Sequence, residues 1–316
     1  MKNDRTLLII GAAGVVGTHI ASLSVERFSK IILVDIEPLK EKLDAIARDI
    51  RTQFNLFDSN TEVVATTNYD EIGKLNGRDV IVIPAGKARD PNDKNSTREA
   101  LFSFNRRIVD GIGKILKEKV FLEKEQPFVI VLTNPVDSIL KSLIISNNFD
   151  PKKTVGSGNQ LDSVRFKQNL ADKLNMKDED IKYAFVLGQH GKNMAYSIDK
   201  IKVHGAFLSN FMKKHNISKD VIKEACDLTT NEGSRIIAAS GATCFGPAAS
   251  VIAIIDSYIG NKGKLFSLST MHRDGNCFGY PVYINGDGVE FSDMFLTTSS
   301  EYGELKKSIE CINELL

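Results

Sequence analysis

Leu7-Leu8-Ile9-Ile10-Gly11-Ala12-Ala13-Gly14-Val15-Val16-Gly17 is the stretch on which the fold turns. An apolar run ends at three evenly spaced glycines, and Thr18-His19-Ile20-Ala21 continues with helical character. The pattern predicts a buried strand, a tight turn and a helix start. The first N–H groups of such a helix lack main-chain partners and carry partial positive charge, so a pyrophosphate can sit against Gly14, Val15 and Val16. Gly11 makes the turn, Gly14 admits the phosphates, and Gly17 lets helix and strand pack closely. A second apolar run, Ile31-Ile32-Leu33-Val34, ends in Asp35. That is about 20 residues beyond the turn, where an acid meets the adenosine ribose of a dinucleotide.

The same alternation continues outward. Strands are expected at 6–10, 31–35, 62–65, 79–83 and 128–132, with helices over 17–28, 38–55 and about 98–119. Short, nearly all-apolar strands separated by helices are parallel strands covered on both faces, so the fold class is α/β with an N-terminal doubly wound sheet. Ligands of such sheets sit at the carboxyl ends of the strands. Those ends carry Gly11–Gly17, Asp35, Pro84-Ala85-Gly86 and Thr133-Asn134-Pro135. Beyond about residue 145 the character changes. A helix opens at Leu161-Asp162-Ser163-Val164-Arg165, a strand runs over Tyr183–Leu187 into Gly188-Gln189-His190-Gly191, and 194–203 and 280–284 alternate as antiparallel strands do. Helices follow over about 219–238 and 247–258, with a terminal one from Glu301. The expected division is a dinucleotide-binding domain over 1–144 and an α+β substrate domain over 145–316, packed together without a linker.

Composition narrows the class. With 42% apolar and 26% charged residues and a net charge of +1, the chain has the make-up of a soluble globular protein and no reason to meet nucleic acid or a membrane surface. Cys226, Cys244, Cys277 and Cys311 are scattered and form no CxxC pair, so free thiols are expected rather than disulfides or a zinc site. No signal or spanning segment is apparent, and a cytoplasmic protein with no metal is expected.

His190 stands between Gly188 and Gly191 at a strand end, an unusual position for a structural histidine. A carboxylate such as Asp162 can hold one tautomer and stabilise the imidazolium, which makes a proton donor and acceptor near neutral pH. Spacing alone does not bring the two together. Arg89, Arg98 and Arg165 are the arginines to watch, because a guanidinium fork grips a carboxylate with two parallel bonds. Arg165 follows Asp162 by one helical turn, on the same face. The polar segment between Gly86 and Arg98 reads either as a solvated loop or as a lid that closes on a ligand.

The glycine turn, Asp35, Ala85-Gly86, Arg89 and Arg98, Thr133-Asn134-Pro135-Val136-Asp137, Leu161–Arg165, His190-Gly191 and Gly246-Pro247-Ala248 together resemble the lactate/malate dehydrogenase family, in order and along nearly the whole chain. The resemblance implies hydride transfer between NAD and a 2-hydroxy acid. His190 would exchange the proton and Asp162 orient it. Arg165 would hold the substrate's C1 carboxylate, and Arg98 would polarise its C2 carbonyl. Asn134 would bond to substrate and help place the nicotinamide. Ala85 and Gly86 would border the cofactor, and Asp35 would favour NAD over NADP. Arg89 would meet the second carboxylate of oxaloacetate, which implies malate, with lactate/pyruvate as the alternative; Thr243 is nearer the lactate type and Pro247 nearer the malate type. A homodimer or homotetramer is also implied. An NAD-dependent glycosidase would need a cysteine–histidine metal cluster that the sequence lacks, and a non-catalytic nucleotide binder would have no use for His190, Asp162, Arg98 and Arg165 together.

Overall fold

The computed structural model describes residues 4–88, 97–122, 125–293 and 299–316. The first half runs β1 (Thr6–Ile10), α1 (Val15–Leu23), β2 (Lys30–Val34), α2 (Lys40–Leu56), β3 (Glu62–Thr66), β4 (Val80–Ile83), α3 (Arg98–Ile115), β5 (Phe128–Val131), α4 (Val136–Asn147) and β6 (Thr154–Gly156). Then come α5 (Asn159–Leu174), β7 (Ile181–Lys182), β8 (Phe185–Gly188), β9 (Met194–Ser197), β10 (Lys202–Val203), β11 (Ala206–Phe207), α6 (Leu208–Lys214), α7 (Asp220–Ser240), α8 (Phe245–Ile259), β12 (Lys264–Met271), β13 (Cys277–Asn285), β14 (Gly288–Phe291) and α9 (Ser299–Asn313).

Strands pair in the order β3-β2-β1-β4-β5-β6, all parallel, and the sheet continues antiparallel through β12-β13-β8-β9. The order steps away from β1 in both directions, so the loops after β1 and β4 part there and leave a crevice at their carboxyl ends. Period-two alternation sorts the strand side chains into two cores. Leu7, Ile9, Ile31, Leu33, Val80, Val82, Phe128 and Ile130 face one side, under α1, α2 and α8. Leu8, Ile10, Ile32, Val34, Ile81, Ile83, Val129 and Val131 face the other, under α3 and α4. Burial on both faces explains why these strands read as unbroken apolar runs, and each such Leu or Ile contributes about 1.5–3 kcal/mol.

Several element ends differ from the sequence reading for local reasons. Helix α1 stops at Leu23 rather than running to residue 28: the Ser24 N–H bonds to the Ala21 carbonyl, one residue nearer than an α-helical partner, and Glu26 turns left-handed at φ 65°. The strand predicted at 183–187 begins at Phe185, since Tyr183 has φ 63°. The alternating run 194–203 is two strands, β9 and β10, separated by a turn at 198–201. The four cysteines are free thiols. No helix among the described residues is long and apolar enough to cross a membrane.

The glycine turn is held by sterics. Gly11 has φ +96° and lies so close to Ala85 that a Cβ would stand 2.7 Å from its backbone nitrogen. A Cβ on Gly17 would stand 2.5 Å from the Gly11 carbonyl oxygen and 2.8 Å from Ala12 Cα. Both neighbours are backbone and have no rotamer through which to yield. Gly17→Ala is therefore expected to cost about 1–3 kcal/mol of stability, read from urea unfolding. Because the strain falls on the turn itself, dinucleotide affinity should fall on the order of tenfold in a fluorescence titration with NADH.

Candidate active site

Four strand ends meet at the crevice and are tied to one another. The N–H groups of Gly11 and Ala12 both donate to the Val34 carbonyl, and Ala85 N–H donates to the Ile10 carbonyl. Thr133 Oγ1 donates to the Ala85 carbonyl at 2.6 Å. Asp35, one residue past β2, accepts the Ala13 N–H on Oδ2 and the Ile36 N–H on Oδ1, both at 2.9 Å. Its carboxylate is thus fixed beside the glycine turn and remains partly open to solvent. Gly14 caps α1, so the N–H groups of Val15, Val16 and Gly17 open the helix beside that acid. A helix terminus that attracts anions next to an acceptor for hydroxyls is a donor set that fits the pyrophosphate and ribose of a dinucleotide.

Asn105 was not singled out by sequence. It is fully buried on α3; its Oδ1 accepts the Lys87 N–H at 2.7 Å, and its Nδ2 donates to the carbonyls of Lys87 at 3.0 Å and Asn134 at 2.7 Å. One amide therefore spaces Gly86-Lys87 from Asn134, the two segments that would flank a nicotinamide. Asn134 itself precedes a cis proline.

Across the crevice, His190 follows β8 and Asp162 lies in the first turn of α5. His190 Nδ1 and Asp162 Oδ2 are 2.5 Å apart, with Asp162 1% exposed and His190 22% exposed. Burial pulls the imidazole toward the neutral form, but the charge and hydrogen bond of Asp162, helped by Asp137 and opposed by Arg165, leave its pKa above the ordinary histidine value. The ring is packed against Gly158, where a Cβ would stand 2.6 Å from His190 Cγ. No side chain fits there, and the sequence carried no signal for it because the approach is between distant segments.

The arginines sort unequally. Arg98 is the first residue of α3, after Thr97, whose hydroxyl accepts the Ala100 N–H. Its guanidinium donates to Gln189 Oε1 at 3.0 Å and to the His190 carbonyl at 3.4 Å, so it stands at the histidine loop. Arg165 is nearly buried, with Nη1 3.6 Å from Asp162, Nη2 donating to Thr243 Oγ1 at 3.4 Å and Nε 3.9 Å from Glu232. Glu232 and Thr243 come from α7 and the segment beyond it, which is why periodicity on α5 did not reveal them. Arg89 lies outside the described residues.

A buried acid–imidazole pair with two guanidinium groups beside a dinucleotide-shaped turn is the equipment of a hydride-transfer enzyme for acidic substrates. Residues 6–156 match the NAD binding domain of lactate/malate dehydrogenases, and residues 159–315 match the alpha/beta C-terminal domain of the same family. This chain belongs to the lactate/malate dehydrogenase family. It is an NAD-dependent oxidoreductase, and NAD is its cofactor. Among relatives, a malate dehydrogenase of Aliarcobacter butzleri is 29% identical over 320 residues, covering 99% of this chain and 96% of that protein. Solved structures of similar shape include Cryptosporidium parvum malate dehydrogenase (28% identity, TM-score 0.86, 99% and 98% of the two chains). The lactate dehydrogenase of the same organism, with lactic acid and NAD bound, has 26% identity and a TM-score of 0.89 over 100% and 98% of the chains.

Asn105 provides a test of the crevice. Asn105→Ala removes three hydrogen bonds to the main chain of Lys87 and Asn134 and is expected to cost about 1–3 kcal/mol in urea unfolding. It should also weaken NADH binding. Asn105→Asp keeps the acceptor for the Lys87 N–H and should fall between.

Proposed function

We propose that the protein interconverts malate and oxaloacetate. The observation that carries this reading is the His190–Asp162 pair set beside Arg165 and Arg98. NAD, when bound, accepts or supplies the hydride. The chain's own residues do the rest. His190 holds the proton at Nε2, the nitrogen not engaged by Asp162, for delivery to the carbonyl oxygen of a 2-oxo acid or removal from the hydroxyl of a 2-hydroxy acid. Asp162 fixes the tautomer and stabilises the imidazolium. Arg165 binds the C1 carboxylate, since its guanidinium is held in place by Asp162, Thr243 and Glu232 before substrate arrives. Arg98 polarises the carbonyl, supported by its place over the His190 main chain. Asn134 aids substrate and nicotinamide placement. Gly11, Gly14, Val15, Val16, Gly17, Asp35, Ala85 and Gly86 form the dinucleotide site. In this reading residues 1–144 form the dinucleotide-binding domain, which also lends Arg89, Arg98 and Asn134 to the substrate, and 145–316 form the substrate domain with His190, Asp162 and Arg165.

The second carboxylate of the substrate is assigned to Arg89. The name shared by the curated relatives supports malate. The alternative, lactate/pyruvate, draws on Thr243 against Arg165 and on the lactate dehydrogenases among the structural neighbours. A homodimer or homotetramer is supported by exposed apolar side chains on helices packed together: Val15 on α1, Val164 on α5 and Phe245, 75% exposed, on α8. The cytoplasm, a reducing compartment, is supported by the free thiols.

Because the imidazole must be protonated to reduce a 2-oxo acid, kcat/KM in that direction should hold at low pH and fall as pH rises through the elevated His190 pKa. Oxidation of the hydroxy acid should show the opposite limb. His190→Asn should lower turnover by about 10²–10⁴. Steady-state rates with NADH should favour oxaloacetate over pyruvate. Arg89→Gln should shift the ratio toward pyruvate by ~3–5 kcal/mol, roughly a hundredfold to several-thousandfold. A wild-type preference for pyruvate would overturn the malate assignment in favour of lactate.

A further inference from the structure

His190 is held by two carboxylates, and the proposed reaction uses one. The second is Asp137, at the second position of α4, with no solvent exposure at all. Its Oδ2 accepts the main-chain N–H of His190 at 2.9 Å. The histidine loop is also pinned just before this contact, since Asn159 Nδ2 donates to the Gly188 carbonyl and Gln189 N–H donates to Ser308 Oγ on α9. A neutral acceptor would serve to hold a loop; an ionisable one, fully desolvated, is costly to bury in its charged form. Its position in the first turn of α4 partly offsets that cost, because the helix N-terminus favours negative charge.

We infer that Asp137 is a positioning residue for His190, a second buried carboxylate that fixes the loop and favours the protonated ring. This rests on the dehydrogenase reading of His190. The charged groups around the ring are few. Helix α5 presents Asp162 and Arg165, α4 presents Asp137, and α3 presents Arg98. Lys192 lies two residues along the loop, and α9 contributes the neutral Ser308 hydroxyl. Next to Asp137 on β13 is the buried thiol of Cys277, held in its neutral form by burial and by Asp137. The Arg165 guanidinium opposes protonation of the ring, so Asp162 does not act against a neutral background. Burial holds the Asp137 carboxyl above the ordinary carboxylate range, outweighing the His190 N–H, the His190 charge, the Ser269 hydroxyl and the Arg98 charge that draw it back.

Asp137→Asn keeps a carbonyl acceptor for the His190 N–H and removes the charge. In the cofactor-free protein, the NMR titration midpoint of the His190 ring is expected to fall by ~1 unit, about a tenfold loss of proton affinity, with the melting temperature near wild type. In the enzyme assay, the alkaline limb of 2-oxo acid reduction and the acidic limb of 2-hydroxy acid oxidation should both move to lower pH. An unchanged ring titration in a well-folded Asp137→Asn protein would reduce the residue to a structural tether. If the variant does not fold, carboxyl NMR of the wild-type protein decides: Asp137 ionised while His190 titrates upholds the inference, and Asp137 still protonated there overturns it. Wild-type protein that turns over no 2-oxo acid with NADH would instead sink the dehydrogenase reading, and the ring titration would remain interpretable.

Discussion

The contact between His190 Nδ1 and Asp162 Oδ2 joins a strand end to a helix, and the surrounding structure is arranged so that it can exist. Asp162 is almost wholly removed from water, and a carboxylate there needs compensating partners. It has them in the imidazole and in Arg165, one turn along the same helix. Arg165 in turn leans on Thr243 and Glu232, so charge is balanced outward from the pair into α7. The ring reaches the carboxylate only because Gly158 offers no Cβ to block it. Breaking the pair would leave the buried carboxylate with Arg165 as its remaining ionic partner, so the geometry is strongly favoured.

The cofactor side depends on a constraint of another kind, the close approach of backbone to backbone. Gly11 lies against Ala85, and Gly17 lies against Gly11 and Ala12, at distances no side chain tolerates. These contacts bring the ends of β1 and β4 within reach of α1, and Asn105 carries the spacing on to Asn134. The continuous sheet carries this alignment across the molecule. Strand β6 bonds to β5 on one side and β12 on the other, and β13 then bonds to β8, whose end bears the histidine loop. A hydride site needs its donor and proton source in register to within a fraction of an ångström, and a shared hydrogen-bonded sheet supplies that rigidity.

Much of the architecture was legible because its signals are local. Strands buried on both faces must be apolar throughout, and Leu7–Ile10, Ile31–Val34 and Val129–Val131 are. A turn that bears phosphates must have glycine where backbone approaches backbone, and Gly11, Gly14 and Gly17 are spaced accordingly. Asp162 and Arg165 share a helical face by arithmetic alone. Less legible were the places where the backbone turned left-handed at a residue other than glycine, such as Glu26 beyond α1 and Tyr183 before β8.

The sequence by itself determined the class of sheet, the location of the dinucleotide turn and the types of side chain available for acid–base work, because each is written in residues a few positions apart. Only the tertiary structure decided that His190 meets Asp162, that Asn105 spaces the crevice, that Gly158 must lack a side chain and that Asp137 lies under the histidine loop. Each of those joins elements remote along the chain, and no spacing rule reports which distant segments a folded sheet will place side by side.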